Sequence, residues 1–133
     1  MPAVNLLAVV VAALSGFLVG SIWYSPLLFA KPWMAANGFT KEDAMRGFNP
    51  VKTYGITFAC ALIASYAFAA VFGPDLYWKR GALYGFTAGL CWIGMALATN
   101  YLFERRSLKL WAINAGYHTV QFTLIGTVIG AMN

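Results

Sequence analysis

Polar and apolar positions alternate along this chain in long blocks. Charged residues fall in three clusters: Lys31, Lys41, Glu42, Asp43, Arg46 and Lys52; then Asp75, Lys79 and Arg80; then Glu104, Arg105, Arg106 and Lys109. Around them lie four apolar segments, at about 4–28, 51–72, 81–103 and 110–132, with Lys52 the one charge, at the edge of the second. A hydrocarbon core of roughly 30 Å takes about 20 helical residues, so each block predicts a membrane-spanning helix. A membrane β-barrel would instead alternate polarity residue by residue over segments of about ten, and no stretch does so. The first block lacks a Lys or Arg ahead of it and is too long for a signal-peptide core, so it is expected to be a retained helix.

The polar segment 31–50 carries its own signals. Asn37-Gly38 reads as a turn. Thr40 followed by Asp43 resembles a capping box, which predicts a short helix from Lys41 to about Gly47, lying on the membrane surface or forming a solvated connector. Pro26 and Pro32 should bend or end the first helix, because proline removes a donor and disfavours helix at the residue before it.

Composition sharpens the picture. The 133 residues are 61% hydrophobic and 10% charged, against about 25% charged in a soluble domain. That excludes a disordered chain and argues against a soluble one. The expected fold class is all-α: one transmembrane domain over residues 1–133, an integral membrane four-helix bundle with antiparallel neighbours. Seven of the nine Lys and Arg lie in the first and third connections and two, Lys79 and Arg80, in the second. The positive-inside rule then places the first and third loops in the cytoplasm and both termini outside. With the basic residues absorbed by topology and anionic lipid, no contiguous surface for nucleic acid remains. Trp23, Tyr24, Trp33, Tyr54, Tyr77, Trp78 and Trp111 lie near the expected helix ends, as interfacial aromatics do; Trp92 falls near mid-span.

Helices in lipid pair through small residues that let backbones approach. Gly16 and Gly20, Gly85 and Gly89, and Gly126 and Gly130 mark the expected packing faces, with Ala61, Ser65 and Ala69 on the second helix. These ridges suit packing within the chain or between copies of it. Gly16-Phe17 with Gly20 and Trp23 also echoes Gly85-Phe86 with Gly89 and Trp92. The echo reads either as a duplicated two-helix hairpin or as chance among common membrane residues.

The chemistry concentrates on the fourth helix. Asn114, His118 and Gln121, at i, i+4 and i+7, share one stripe, while Ala112, Gly116, Thr119, Thr123, Gly126 and Gly130 form a separate small-residue face. His118 is the single histidine, and an ionisable residue at membrane depth is a functional candidate. The stripe, with Asn100 and Trp92 as further candidates, could hold a polar ligand, water or a headgroup oxygen. Equally, it could make interhelical hydrogen bonds to Asn100, Thr99, Thr57 or Ser65. No intramembrane carboxylate pairs with His118, and one His with two separated cysteines makes a poor metal site. No enzyme activity, metal or cofactor is expected, and Cys60 and Cys91 are expected to be packed thiols.

The block Gly20-Ser21-Ile22-Trp23-Tyr24-Ser25-Pro26-Leu27-Leu28-Phe29 with Trp33 resembles the N-terminal signature of the domain-of-unknown-function family numbered seventeen sixty-one. Asn5 and the segment Asn114-Ala115-Gly116-Tyr117-His118 resemble further features of that family. The resemblance implies a small, mostly bacterial four-helix membrane protein, with Trp23, Tyr24, Pro26 and Trp33 as signature residues, and it supplies no catalytic residue. Small multidrug exporters share the length and helix number but depend on an acidic residue in the first helix, which this chain lacks. Two readings result: a homo-oligomer that binds or passes a small polar solute or proton along the helix-four stripe, or a structural or accessory membrane subunit in which that stripe only holds helices together. Beyond the lipid bilayer and a second copy of the chain, no protein partner is implied.

Overall fold

A computed structural model describes residues 4–133, apart from the side chain of Ala44; residues 1–3 of the expected single domain lie outside the described part. The elements are α1 (Leu6–Trp23), α2 (Ala30–Asn37), α3 (Lys41–Met45), α4 (Pro50–Phe72), α5 (Trp78–Thr87), a π-helical segment (Ala88–Gly94), α6 (Met95–Phe103) and α7 (Leu108–Met132). The fold is all-α, with no strand among the described residues. α5, the π segment and α6 run on as one helical stretch, Trp78–Phe103. This stretch, α1 and α4 are each long and apolar enough to cross a membrane. α7 has 25 residues, so length does not limit it; Asn114, His118 and Gln121 depress its hydropathy.

Local chemistry sets the boundaries. Asn5, Asn49 and Ser107 cap α1, α4 and α7 by accepting the amides of Ala8, Lys52 and Leu110, each satisfying one of the donors a helix start leaves orphaned. α1 stops at Trp23, short of the expected residue 28. Pro26 cannot donate to a continuing helix, and the chain turns through residues 24–29 instead. Pro32 does not break α2, because it sits at the third helical position, where no backbone donor is needed. The polar segment 31–50 thus holds two short helices where one was expected. α3 carries the capping box, with the Asp43 amide donating to Thr40 Oγ1 (3.1 Å) and the Thr40 amide to Asp43 Oδ2 (3.0 Å). It ends at Met45.

α7 is the central helix. It packs against α1, α5 and the π segment, and more lightly against α2, α4 and α6, while α4 lies mainly on α1. Backbones meet closely along α5: a methyl added at Gly81 would overlap the Gly126 carbonyl, and one at Gly85 the Phe122 carbonyl. Gly89 lies on the backbone of His118 and Thr119, and Gly130 on that of Tyr77 and Trp78. On the other side Gly16 faces the Gln121 side chain and Gly20 the Tyr117 ring. The expected small-residue face of α7 is split, because α7 meets two neighbours: Gly116 lies against Trp23, whereas Thr123, Gly126 and Gly130 lie against α5. The hydroxyls of Thr119, Thr123 and Thr127 donate to the carbonyl four residues earlier and demand no outside partner.

The chain ends meet. Asn5 Nδ2 donates to the Met132 carbonyl (3.0 Å), and Asn133 Nδ2 reaches the carbonyls of Gly73 and Leu76. At the opposite end Arg106 Nη1 donates to Asn37 Oδ1 (2.9 Å), tying the α6–α7 turn to α2. We call these the terminal end and the loop end. A dry cluster of Ala8, Val9, Ala12, Phe68, Ala69, Leu76, Ile125 and Ile129 fills the terminal half.

The outer surface is apolar. Leu6, Leu7, Leu14 and Leu18 of α1, Ile56, Ile63 and Val71 of α4, and Leu83, Phe86 and Met95 of the third long helix all point outward. So do Cys60 and Cys91, which corrects the expectation that both are packed thiols. On α7, by contrast, nine residues are buried, Gln121 among them. Polar groups inside and hydrocarbon outside is the arrangement a lipid solvent selects.

Candidate functional site

The site grows from the stripe on α7. Asn114 and His118 are half-buried and Gln121 is buried. Gly16 makes Gln121 possible, since a methyl there would come within 3.0 Å of its Cγ; Gly20 likewise clears the Tyr117 hydroxyl, 2.9 Å from where a methyl would stand. The small residues that let α1 approach α7 therefore also make room for its polar side chains.

Asn114 is a node between three helical segments. Its Oδ1 accepts from the Tyr24 hydroxyl at 2.6 Å, and its Nδ2 donates to the Tyr101 hydroxyl at 2.8 Å. Tyr24 stands at the end of α1 and Tyr101 on α6, so one amide joins α1, α6 and α7. One turn further along, His118 Nδ1 lies 3.1 Å from Gln121 Oε1. In the tautomer in which Nδ1 donates to that oxygen, Nε2 is left as an acceptor.

These groups line a cavity of about 390 Å³ at the loop end, walled by Tyr24, Trp33, Met34, Leu97, Tyr101, Asn114 and His118. Tyr24 meets Trp33 edge-on at 6.0 Å and Tyr117 edge-on at 5.4 Å, which fixes the aromatic wall. Behind Tyr24 lies a second cavity of about 270 Å³, lined by Phe17, Ser21, Thr53, Tyr54, Thr57 and Tyr117. Beyond Gln121, toward the terminal end, the dry cluster closes the interior.

The other expected site residues are placed elsewhere. Trp92 is 60% exposed and faces outward from the π segment, and Asn100 is exposed on α6; neither lines the cavity. The reason for Trp92 is local. A π turn takes more residues than an α turn, so the position that follows Gly85 and Gly89 onto α7 falls two residues beyond Trp92. Gly94 faces α7 instead, and its carbonyl accepts from Trp111 Nε1 at 2.8 Å. In α1, where the helix stays regular, Trp23 keeps that register and donates from Nε1 to the Ile113 carbonyl at 2.9 Å. The partners Thr99, Thr57 and Ser65 are not used either: the two threonines bond within their own helices, and the Ser65 hydroxyl is buried without a partner. The stripe's real partners, Tyr24 and Tyr101, were not foreseen. Tyr24 stood out only as an interfacial aromatic and a signature residue, and no sequence signal marks Tyr101. Of the other signature residues, Trp33 forms the cavity wall and Pro26 is an exposed turn residue.

No group of three His, Cys, Asp or Glu side chains converges among the described residues. The site is uncharged, aromatic and hydrogen-bonding. It suits recognition of a small polar or amphipathic molecule.

The family described as "Protein of unknown function (DUF1761)" matches residues 7–130, nearly the whole chain. The protein belongs to this family. No curated protein and no solved structure matches the chain. The matched span includes every residue of the cavity, so the Tyr24, Asn114 and His118 arrangement lies within the DUF1761 region.

Proposed function

We propose that this DUF1761 protein is a four-helix membrane bundle with antiparallel neighbours that binds a small polar solute in the loop-end cavity. The observation that carries the binding reading is His118. It lies mid-way along α7, is fixed by Gln121, and lines a cavity with an imidazole nitrogen free to accept. A neutral ligand donating to Nε2, with its apolar part against Trp33, Met34 and Leu97, satisfies both halves of the site. The dry cluster beyond Gln121 favours binding from one side over passage of solute or proton. The small-residue ridges pack within the chain, which supports a cavity built from one copy and leaves self-association to the exposed apolar faces. We propose no catalytic role: His118 has no acidic neighbour to share a proton with.

The bundle is supported by the exposed apolar faces of three membrane-length helices around a more polar fourth. The meeting of Arg106 with Asn37 and of Asn5 with Met132 supports antiparallel neighbours. Seven basic residues in the loop-end connections favour a cytoplasmic loop end and outside termini, in a bacterial plasma membrane if the family resemblance extends to the source. A duplicated hairpin is supported only by the echo of Gly16-Phe17 and Gly20 in Gly85-Phe86 and Gly89, since both glycine pairs pack onto α7 rather than each onto its own hairpin partner.

A second reading, a structural or accessory subunit, is favoured by one observation: Asn114 finds both of its partners within the chain. A thermal-shift screen of the purified chain with neutral polar solutes separates the two. Under the binding reading, a solute raises the melting temperature of the wild type and leaves His118→Ala unmoved, while Thr127→Ala, far from the cavity, still responds. Equal responses in wild type and His118→Ala, or no response to any solute with His118→Ala merely less stable, would favour the structural role.

A further inference from the structure

The face of α7 opposite His118 carries a different site. Lys109, Ala112 and Gly116 recur there at helical spacing and form the floor of a groove of about 420 Å³, walled by Trp23, Phe29 and Pro32. Its walls are built. The Trp23 and Phe29 rings lie 4.7 Å apart, and the Trp23 indole is pinned by its hydrogen bond to the Ile113 carbonyl. The width depends on Gly116, where a methyl would come within 3.0 Å of Trp23 Cζ2. Every lining side chain is apolar except that of Lys109.

Lys109 is exposed and has no carboxylate partner among the described residues. It also sits in the first turn of α7, where there is no acidic residue and where the helix dipole already presents positive charge. Arg106 flanks a comparable apolar groove on the other side of the α6–α7 turn, but it is held by Glu104 at 3.5 Å and by Asn37. The unpaired cation and the apolar groove therefore coincide at one place. Charge complementarity selects an occupant with an anionic head and a hydrocarbon tail.

We infer that this groove is a seat for one anionic phospholipid, with an acyl chain lying between the joined Trp23–Phe29 wall and the Ala112 floor and the headgroup phosphate on Lys109 Nζ. The inference rests on the membrane reading above and is independent of the His118 cavity. A phosphate at this position offsets both Lys109 and the start of α7. Other basic residues of the loop end raise the local concentration of anionic lipid, whereas Lys109 selects the site.

The test places the full chain in nanodiscs of phosphatidylcholine or of a phosphatidylcholine–phosphatidylglycerol mixture, and reads the melting temperature and the lipid retained in native mass spectrometry. Phosphatidylglycerol should raise the wild-type melting temperature and leave one retained lipid. Lys109→Gln should lose both effects, and Lys31→Gln, at the same end but outside the groove, should keep both. Ala112→Leu fills the floor with the charge intact; it should melt like the wild type in phosphatidylcholine yet retain no lipid. Persistence of the phosphatidylglycerol shift in Lys109→Gln, or of the retained lipid in Ala112→Leu, would overturn the groove. Failure to enter the discs would overturn the membrane reading and the groove with it, whereas entry with melting indifferent to lipid overturns the groove alone.

Discussion

Asn114 shows what a single amide can do where water is scarce. Its two hydrogen bonds, to Tyr24 and Tyr101, join segments 90 and 13 residues away along the chain. Hydrogen bonds between membrane helices contribute on the order of 1 kcal/mol each. Asn114→Ala should therefore lower stability by about 1–2 kcal/mol in a detergent unfolding titration, with Tyr24→Phe removing part of the same energy rather than adding to it. Helical spacing alone put Asn114, His118 and Gln121 on one stripe, so that half of the site was legible. Tyr24 and Tyr101 were not, because their approach depends on how three helices cross. Outside the membrane helices, Asp43 gives a pH prediction. The Thr40 amide and hydroxyl hold its carboxyl below the usual carboxylate range. A lowered folded-state value means that the cap is complete above the unfolded value of about 4 and is lost as pH falls through the folded one. The exchange protection of the Thr40 amide in NMR should fall over that acidic window and show no such window in Asp43→Asn.

Between elements, glycine decides spacing, and position decides what each glycine does. Gly81 and Gly126 lie with their backbones in contact, so Gly81→Ala must push α5 from α7. Gly55, on α4, has nothing within 4 Å of an added methyl. Gly81→Ala should cost roughly 1–3 kcal/mol or more, as overpacked sites do, and Gly55→Ala should gain up to about 1 kcal/mol of helix propensity; unfolding midpoints of the two variants check the sign of each. The glycine spacing was readable because close approach demands small residues at four-residue intervals. The partition between neighbours was not, since Gly116 serves Trp23 while Gly126 serves α5. Helix limits set by local chemistry, such as the Thr40–Asp43 capping box that starts α3, were also readable. α2 was not, because a proline at its third position looks like a breaker until the start of the helix is known.

At the scale of the whole molecule, polarity is inverted relative to a soluble protein: the least apolar of the four long helices is the one the others surround. Hydropathy picks out three of the four long helices, and α7, which carries the polar stripe, falls below them by composition rather than by length. Composition made the solvent legible and charge clusters made the connections legible. The direction in which the interior opens depends on where bulky residues such as Phe68 and Ile125 happen to stack. The same inversion predicts the pattern of backbone exchange: α7 amides near Ile125 and Ile129 should be the slowest in hydrogen–deuterium exchange in discs, and those of α6, which buries no residue, should be the fastest among the long helices.

The wide turn at Ala88–Gly94 turns one wall of the cavity into a matter of counting. The wide turn absorbs an extra residue, so deleting Leu90 and closing that turn to regular helix would keep the downstream phase, whereas an α-helix advances about 100° per residue and inserting one residue after Met95 would rotate everything beyond it by about that angle. Tyr101 and Leu97 would swing off the cavity, although no atom of either had changed. The energetic coupling between Tyr101→Phe and Asn114→Ala, about 1 kcal/mol in the intact chain, should persist in the Leu90 deletion and fall to nothing in the insertion after Met95. The phase of α6, and with it the Tyr101 wall of the cavity, is thus set by residue number and turn width together, and a single-codon insertion between that turn and Tyr101 would redraw the wall without touching any of its side chains.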